Sequence, residues 1–273
     1  MKTTKGNRMN KWIVFILAAA IGMPVMAADM QGKDRNKEVR AVTEKVIQTA
    51  GRNVLGDLAP EFAHYNDDIL FGEIWNKQDV LDLRQRSMIT VAGLMGLGIT
   101  DNSLKYHIGN AKNHGVIKAE MIDEITQLAF YLGWPKAWAV FPMVKEVYEE
   151  DVPSAKPLAE TETAPMEKQT AGRRVLGDLA PEFAHYNDDI LFGEVWARNK
   201  VLSPHDRSMI TIAGLMGANV MDSAFRTHLQ MGKAHGMTKK EVVDEITQLA
   251  FYTGWPKAWA AFGIVKEMYA VEK

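Results

Sequence analysis

The sequence predicts an all-α protein built as two tandem helical-bundle units. Three observations carry this expectation. The chain repeats itself at an offset of 121 residues. Helix start and stop signals recur in the same order in each copy. No stretch alternates apolar and polar residues at period two. The repeat runs without a gap from Gln48 and Gln169 to Tyr148 and Tyr269, and 63 of the 100 pairs from Gly51 onward are identical. A period this long is domain-sized, unlike a short solenoid repeat.

The elements follow in chain order. Lys2, Lys5, Arg8 and Lys11 form a positive stretch without an acid, Trp12 to Met23 is apolar, and Pro24 to Ala28 ends in small residues. That is the layout of a signal peptide cleaved near Ala27 or Ala28, so a periplasmic or secreted protein is expected, with no membrane association after cleavage. The apolar run is short for a bilayer span. Gln31 to Gln48 reads as a charged leading helix with Val39, Val42 and Val46 on one side. Pro60 and Pro181 open helices that reach Trp75 and Trp196. Asp82 with Gln85, and Ser203-Pro204-His205-Asp206, cap the next pair. Asp101 and Asp222 precede helices that stop at Gly115 and Gly236. Thr238 with Glu241 is a capping box for a third helix in the second copy, closed by Gly254, and Trp255-Pro256 turns into a fourth. Asp151 to Lys168 is rich in proline, acids and small polar residues and reads as an exposed linker. The expected boundaries are therefore signal peptide 1–27, leading helix 28–47, unit 1 at 48–150, linker 151–168 and unit 2 at 169–273.

Composition excludes several classes. The formal charge is −2, with no basic excess to suggest nucleic acid. Four of the basic residues lie in the leader, so the mature chain is more acidic still. There is no cysteine. Disulfides, thiolate nucleophiles, Cys-zinc sites and CxxC redox pairs are thereby absent. The 16 methionines read as core filler.

Identity between the copies is uneven. Val54 to Glu73 matches Val175 to Glu194 throughout, as do Asp123 to Tyr131 and Gly133 to Ala139 with their counterparts, whereas Leu97 to Asn113 has drifted but kept Asp101, His107 and Lys112. The matching blocks either pack the two halves together or also line a shared pocket.

The segments Arg207 to Ala213, His228-Leu229, Gly236 to Glu241 and Ala250 to Pro256, with Phe192 to Trp196 upstream, resemble the carboxymuconolactone decarboxylase family, and the first unit repeats the pattern from Arg86 through Pro135. The family is similar to the alkylhydroperoxidase D-like proteins, whose helical fold is thereby implied. Those carry CxxC ahead of a histidine. Here Thr100 and Ser103 precede His107, and Met221 and Ala224 precede His228. Thiol peroxidase chemistry is rejected, since the sulfur atoms it needs are missing. What the resemblance implies is cofactor-free, lyase-type removal of a carboxylate from an unsaturated lactone acid, or related lactone and enol-acid chemistry. A small organic acid or lactone is then the partner, and a ring of three fused pseudo-dimers the expected homo-oligomer. The rival is a non-catalytic small-molecule-binding or assembly protein on the same fold. A cavity faced by an imidazole and a guanidinium would favour the enzyme; a solid apolar interior would favour the rival.

Such a reaction needs a group to hold the substrate carboxylate, donors for the developing enolate, and an acid of near-neutral pKa. His107 and His228 are the expected acids, with a histidine satisfied inside the bundle as the alternative. The change of their neighbours from Tyr106, Gly109 and Asn110 to Thr227, Gln230 and Met231 predicts inequivalent sites, the second imidazole being harder to protonate. His114 and His235 sit before a terminating glycine, where a helix-capping role is expected. Arg86 and Arg207 could hold a substrate carboxylate or pair with Glu124 or Glu245. Glu73 and Glu194 could act as acid or base beside Trp75 and Trp196, which would contact substrate; a rim or capping role is the alternative. His64 to Asp68 and His185 to Asp189 hold metal-capable groups, but these point to different helix faces, and no metal or cofactor is expected. Trp134, Trp138, Trp255 and Trp259 read as core or interface anchors.

Overall fold

The computed structural model describes residues 45–149 and 169–270. The signal peptide, the linker and most of the leading helix lie outside them. Lys45, Val46 and Ile47, the part of the leading segment that is described, are not helical. Instead the Val46 N–H donates to the Asn76 side-chain oxygen (2.8 Å), and the Asn76 amide donates back to the Val46 carbonyl (2.9 Å). The polar ladder this residue makes with a side chain competes with helix continuation.

All described elements are helical, and the two copies repeat them. The first comprises α1 (Ala50–Leu55), α2 (Pro60–His64), α3 (Leu83–Leu97), α4 (Asn102–Asn113), α5 (Lys118–Leu132) and α6 (Trp134–Val147). The second comprises α7 (Ala171–Leu176), α8 (Pro181–His185), α9 (Pro204–Gly217), α10 (Ser223–Ala234), α11 (Lys239–Thr253) and α12 (Trp255–Tyr269). The capping signals act as the sequence anticipates. Asp82 and Gln85 form a reciprocal capping box, Ser203 accepts from the Asp206 N–H, and Thr238 and Glu241 cap α11. The chain leaves α5 and α11 through Gly133 and Gly254 at φ +94° and +97°, values that only glycine adopts without strain.

One departure from the expected helix is functional in its placement. α2 and α8 continue as wide π-helical turns, Tyr65–Ile74 and Tyr186–Val195. The Trp75 N–H bonds to the Leu70 carbonyl and the Trp196 N–H to that of Leu191, both five residues back. Such turns cost hydrogen-bond geometry and need tertiary support. Support comes from Asp67, whose carboxylate accepts the Gly51 and Arg52 N–H groups at 2.9 Å each, and from Asp188, which does the same for Gly172 and Arg173. A Cβ at Gly51 would stand 2.6 Å from the Asp67 oxygen, so the position requires glycine. Asp68 pairs with Arg52 and His64, and Asp189 with Arg173 and His185. The motif that could have held a metal is spent on fastening α1 and α7.

The two copies are not separate bundles side by side. The described residues, 45–149 and 169–270, form one compact unit with a shared core. α3 and α9 cross at its centre, where a Cβ on Gly96 would sit 2.9 Å from the Gly217 Cα and against the Gly214 carbonyl. α5 packs on α9, and α11 packs on α3, so each copy lends a helix to the other.

Candidate functional site

The exchanged helices carry the buried charges. Arg86 is fully buried; its guanidinium is paired with Asp244 and donates to Gln248 (2.6 Å), both on α11. Gln248 returns its amide to the Arg86 carbonyl and the Thr90 hydroxyl. Arg207 makes the same set with Asp123 and Gln127 on α5. These guanidinium groups clamp the halves together and are closed to a substrate, which corrects the expectation that they hold its carboxylate. The partner also differs from the one expected. Glu124 and Glu245 are fully buried, with neither oxygen hydrogen-bonded among the described residues, and burial pushes both carboxyls well above their ordinary range. They are held as neutral acids in the bundle interior.

The identical segments also build a cluster of rings. Trp75, delivered by the π-turn, stacks on Phe71 (5.9 Å) and on His107 of α4 (6.2 Å, 12° between planes). Its Nε1 donates to the Tyr252 hydroxyl at 2.9 Å, and Tyr252 meets His107 edge-on at 5.1 Å. Tyr252 belongs to the opposite copy. In the second cluster Trp196 stacks on His228 (5.9 Å, 13°), donates to Tyr131 at 2.9 Å, and Tyr131 meets His228 edge-on at 4.9 Å. Each ring cluster is therefore completed from across the pseudo-twofold.

His107 and His228 are each about 7% exposed, and neither Nδ1 has a hydrogen-bond partner. Burial, with a smaller contribution from His114 or His235, pushes both imidazoles down to about 4. They are neutral near pH 7. The expected difference between the two is not found, because the same indole and phenol rings desolvate both.

His114 and His235 occupy the expected C-cap positions, yet their rings do more than cap. Ser87 Oγ stands 2.7 Å from both the Leu83 carbonyl oxygen and His114 Nδ1 and bridges them. Ser208 stands likewise between the Pro204 carbonyl and His235.

A cavity of about 290 Å³ opens beside the first cluster. Trp75, His114, Tyr106, Asn110 and Asn113 line it, and Lys45 to Gln48 run across it. His107 is not among the lining residues; it stands behind the Trp75 indole, and the imidazole on the wall is that of His114. Glu73 and Glu194 lie on the exposed side of the π-turns and do not enter the clefts, so an acid–base part for them beside the indoles finds no support. Trp134, Trp138, Trp255 and Trp259 are exposed rather than core. No group of three or more His, Asp or Glu side chains among the described residues could hold a metal ion.

Sequence reading missed Tyr131, Tyr252, Ser87 and Ser208 as site residues, and Asp123 and Asp244 as the arginines' partners. The unbroken identity of Asp123 to Tyr131 with Asp244 to Tyr252 was the available signal.

The family model described as the carboxymuconolactone decarboxylase family matches residues 60–146 and 181–267. The chain is also similar to a 4-carboxymuconolactone decarboxylase of Acinetobacter baylyi, 31% identical over 124 residues, covering 45% of this chain and 90% of that protein. The matches span more than half of the sequence and fall on the same helices in each copy, and the protein belongs to the carboxymuconolactone decarboxylase family.

Proposed function

We propose that the protein is a cofactor-free decarboxylase, or an enzyme of related lactone and enol-acid chemistry, acting on a small organic acid or lactone in the ring-lined clefts. The proton donor is His107, which stacks on Trp75, the indole that faces the cavity and against which an unsaturated ring rests; His228 and Trp196 are the matching pair of the second copy. The observation that carries this reading is the neutral, desolvated imidazole of His107 stacked on Trp75 next to a cavity. Of the two groups whose joint presence would favour an enzyme over a purely structural bundle, the cavity wall carries an imidazole, that of His114, and no guanidinium.

The proton balance follows from the electrostatics. A carboxylate entering the desolvated cleft favours the imidazolium, so substrate binds with one proton taken from solvent. The bond between ring carbon and carboxyl then breaks, and its electron pair passes into the lactone π-system as an enolate. The imidazolium returns its proton to carbon, and CO₂ leaves. One proton is consumed per turnover.

The test is CO₂ release from 4-carboxymuconolactone, followed with proton uptake in a pH-stat. His107→Gln should lower the rate at least 100-fold, the scale of general acid catalysis, with the melting temperature little changed. Unchanged release in that variant overturns the assignment. Absence of release and of proton uptake in the parent protein returns the fold to the binding-protein reading.

We also propose export to the periplasm or beyond, on the leader, and assembly of three chains into a ring. Phe62, Tyr65 and Trp138 are exposed, and so are their copies Phe183, Tyr186 and Trp259, which gives the chain two like apolar faces. A monomeric mass by light scattering at micromolar concentration would refute the ring, and a full-length protein retained in the cytoplasm would refute export.

A further inference from the structure

The two ring clusters share their rings and differ in what surrounds them. At the offset of 121, Asn76, Tyr106, Asn110 and Asn113 become Ala197, Thr227, Met231 and Ala234. All four changes replace a polar side chain by an apolar or shorter one; Tyr106, Asn110 and Asn113 line the first cavity, and Asn76 bonds Val46, which also lines it.

Two of the four hold the segment that crosses that mouth. Asn76 exchanges hydrogen bonds with both the N–H and the carbonyl of Val46, and the Gln48 amide donates to the Tyr106 hydroxyl at 2.8 Å. Ala197 offers no group for the first contact. The Thr227 hydroxyl is turned back to the Ser223 carbonyl of its own helix (2.9 Å). The other two, Asn110 and Asn113, put amides on the cavity wall one helical turn apart, with His114 beside them. In the second copy Met231 instead packs against the cluster of Leu191, Val195 and Trp196, so a thioether stands where an amide faces the first cavity.

We propose that the two ring clusters have diverged into one ligand site, beside the cavity, and one structural copy. The first binds a small, oxygen-rich acid, with the Asn110 and Asn113 amides and the Tyr106 hydroxyl reading its carbonyl or carboxylate oxygens. The second keeps its rings to seat Tyr131 and join the halves. The chemical class of the ligand rests on the function proposed above; the asymmetry does not.

Burial of the rings gives both copies equal desolvation, which is why the two imidazoles are alike while the clefts are not. A carboxylate needs donors to replace its water, and leaving its oxygens unpaired costs more than the contact gains. The first cleft supplies such donors from Asn110, Asn113 and Tyr106. The positions equivalent to them offer methionine, alanine and a hydroxyl already engaged.

The test uses the full chain with muconolactone, a small unsaturated lactone acid, as the probe. Titration calorimetry should give one molecule per chain, and a crystal soak should place it beside Trp75. Asn110→Met, which copies the second cleft into the first, should weaken binding at least tenfold; Asn113→Ala, at an exposed position, gives a second variant should the first fold poorly. Met231→Asn should leave the first site's affinity as it was. Two equivalent molecules per chain, occupancy beside Trp196, or no binding in either cleft would overturn the proposal. CO₂ release from 4-carboxymuconolactone separates this from the functional reading. Selective binding without release removes the decarboxylase and leaves the asymmetry. Equal loss of release in His107→Gln and His228→Gln removes the asymmetry and leaves the decarboxylase.

Discussion

The indole nitrogen of Trp75 donates a hydrogen bond to the hydroxyl of Tyr252, a residue 177 positions away in the other copy of the repeat. Trp196 and Tyr131 make the same bond in the opposite sense, over 65 positions. Each bond fixes an indole plane and thereby the imidazole stacked on it.

Removing either acceptor should therefore cost stability by like amounts. Tyr252→Phe and Tyr131→Phe each leave a buried indole N–H without a partner, an expense of about 1–3 kcal/mol. Urea denaturation of the two variants measures it. Turnover should separate them, since Tyr252 belongs to the cleft with the cavity: a clear fall for Tyr252→Phe, little change for Tyr131→Phe.

The crossed ion pairs predict coupling between the halves. Asp244→Ala strands the Arg86 guanidinium in the interior and should destabilise by about 3–5 kcal/mol. Changing both partners to leucine or methionine should recover much of the loss. Because the pair joins the two copies, unfolding should remain a single transition; two resolved transitions in the parent protein would contradict the shared core.

Protons act on stability from two directions. Glu124 and Glu245 are neutral when folded and ordinary carboxyls, near 4.5, when unfolded. The folded chain thus binds more protons above pH 4.5, and these groups lower stability as pH rises. Glu124→Gln should gain on the parent protein by about 1.4 kcal/mol per pH unit above 4.5, up to the folded pKa. His107 and His228 work in reverse. Their folded value is about 4 against 6.5 unfolded, so stability is full above 6.5 and falls as pH drops toward 4. His107→Gln should gain on the parent protein by about 3 kcal/mol across that window and no further below it. Denaturation midpoints at pH 4.5, 6.5 and 8.5 distinguish the two slopes.

Two glycine replacements should move in opposite directions. Gly96→Ala drives a methyl group into the backbone of α9 at the central crossing and should disrupt the fold or its packing severely. Gly109→Ala, on α4 with nothing within 4 Å of the added carbon, should stabilise by about 0.5–1 kcal/mol through helix propensity. Thermal melts of both variants check the pair.

The fold was legible because caps and duplication are local or near-local signals. Asp82, Ser203 and Thr238 announce helix starts through their own hydrogen bonds, and those bonds form. The π-turns were not legible. Tyr65 to Ile74 has the same composition as an ordinary helix, and the extra residue per turn is imposed by Asp67 gripping α1 from sixteen positions away. The site was half legible. A histidine kept amid changed neighbours pointed to His107, but its partners come from a helix of the other copy, which no spacing rule connects. The arginines illustrate the limit well. Their placement in a first helical turn, unfavourable for the dipole, signalled a purpose; only the packing of α11 on α3 and of α5 on α9 shows that Asp244 and Asp123, not the adjacent Glu245 and Glu124, are what they serve.

The exchange of tyrosines also bears on how such a gene can change. A copy that loses its own ligand would ordinarily be free to decay. Here its fifth helix still furnishes Tyr252, the acceptor that fixes its sibling's indole, so one ring cluster holds sequence in both halves. Redundancy in such a repeat is then not dispensability.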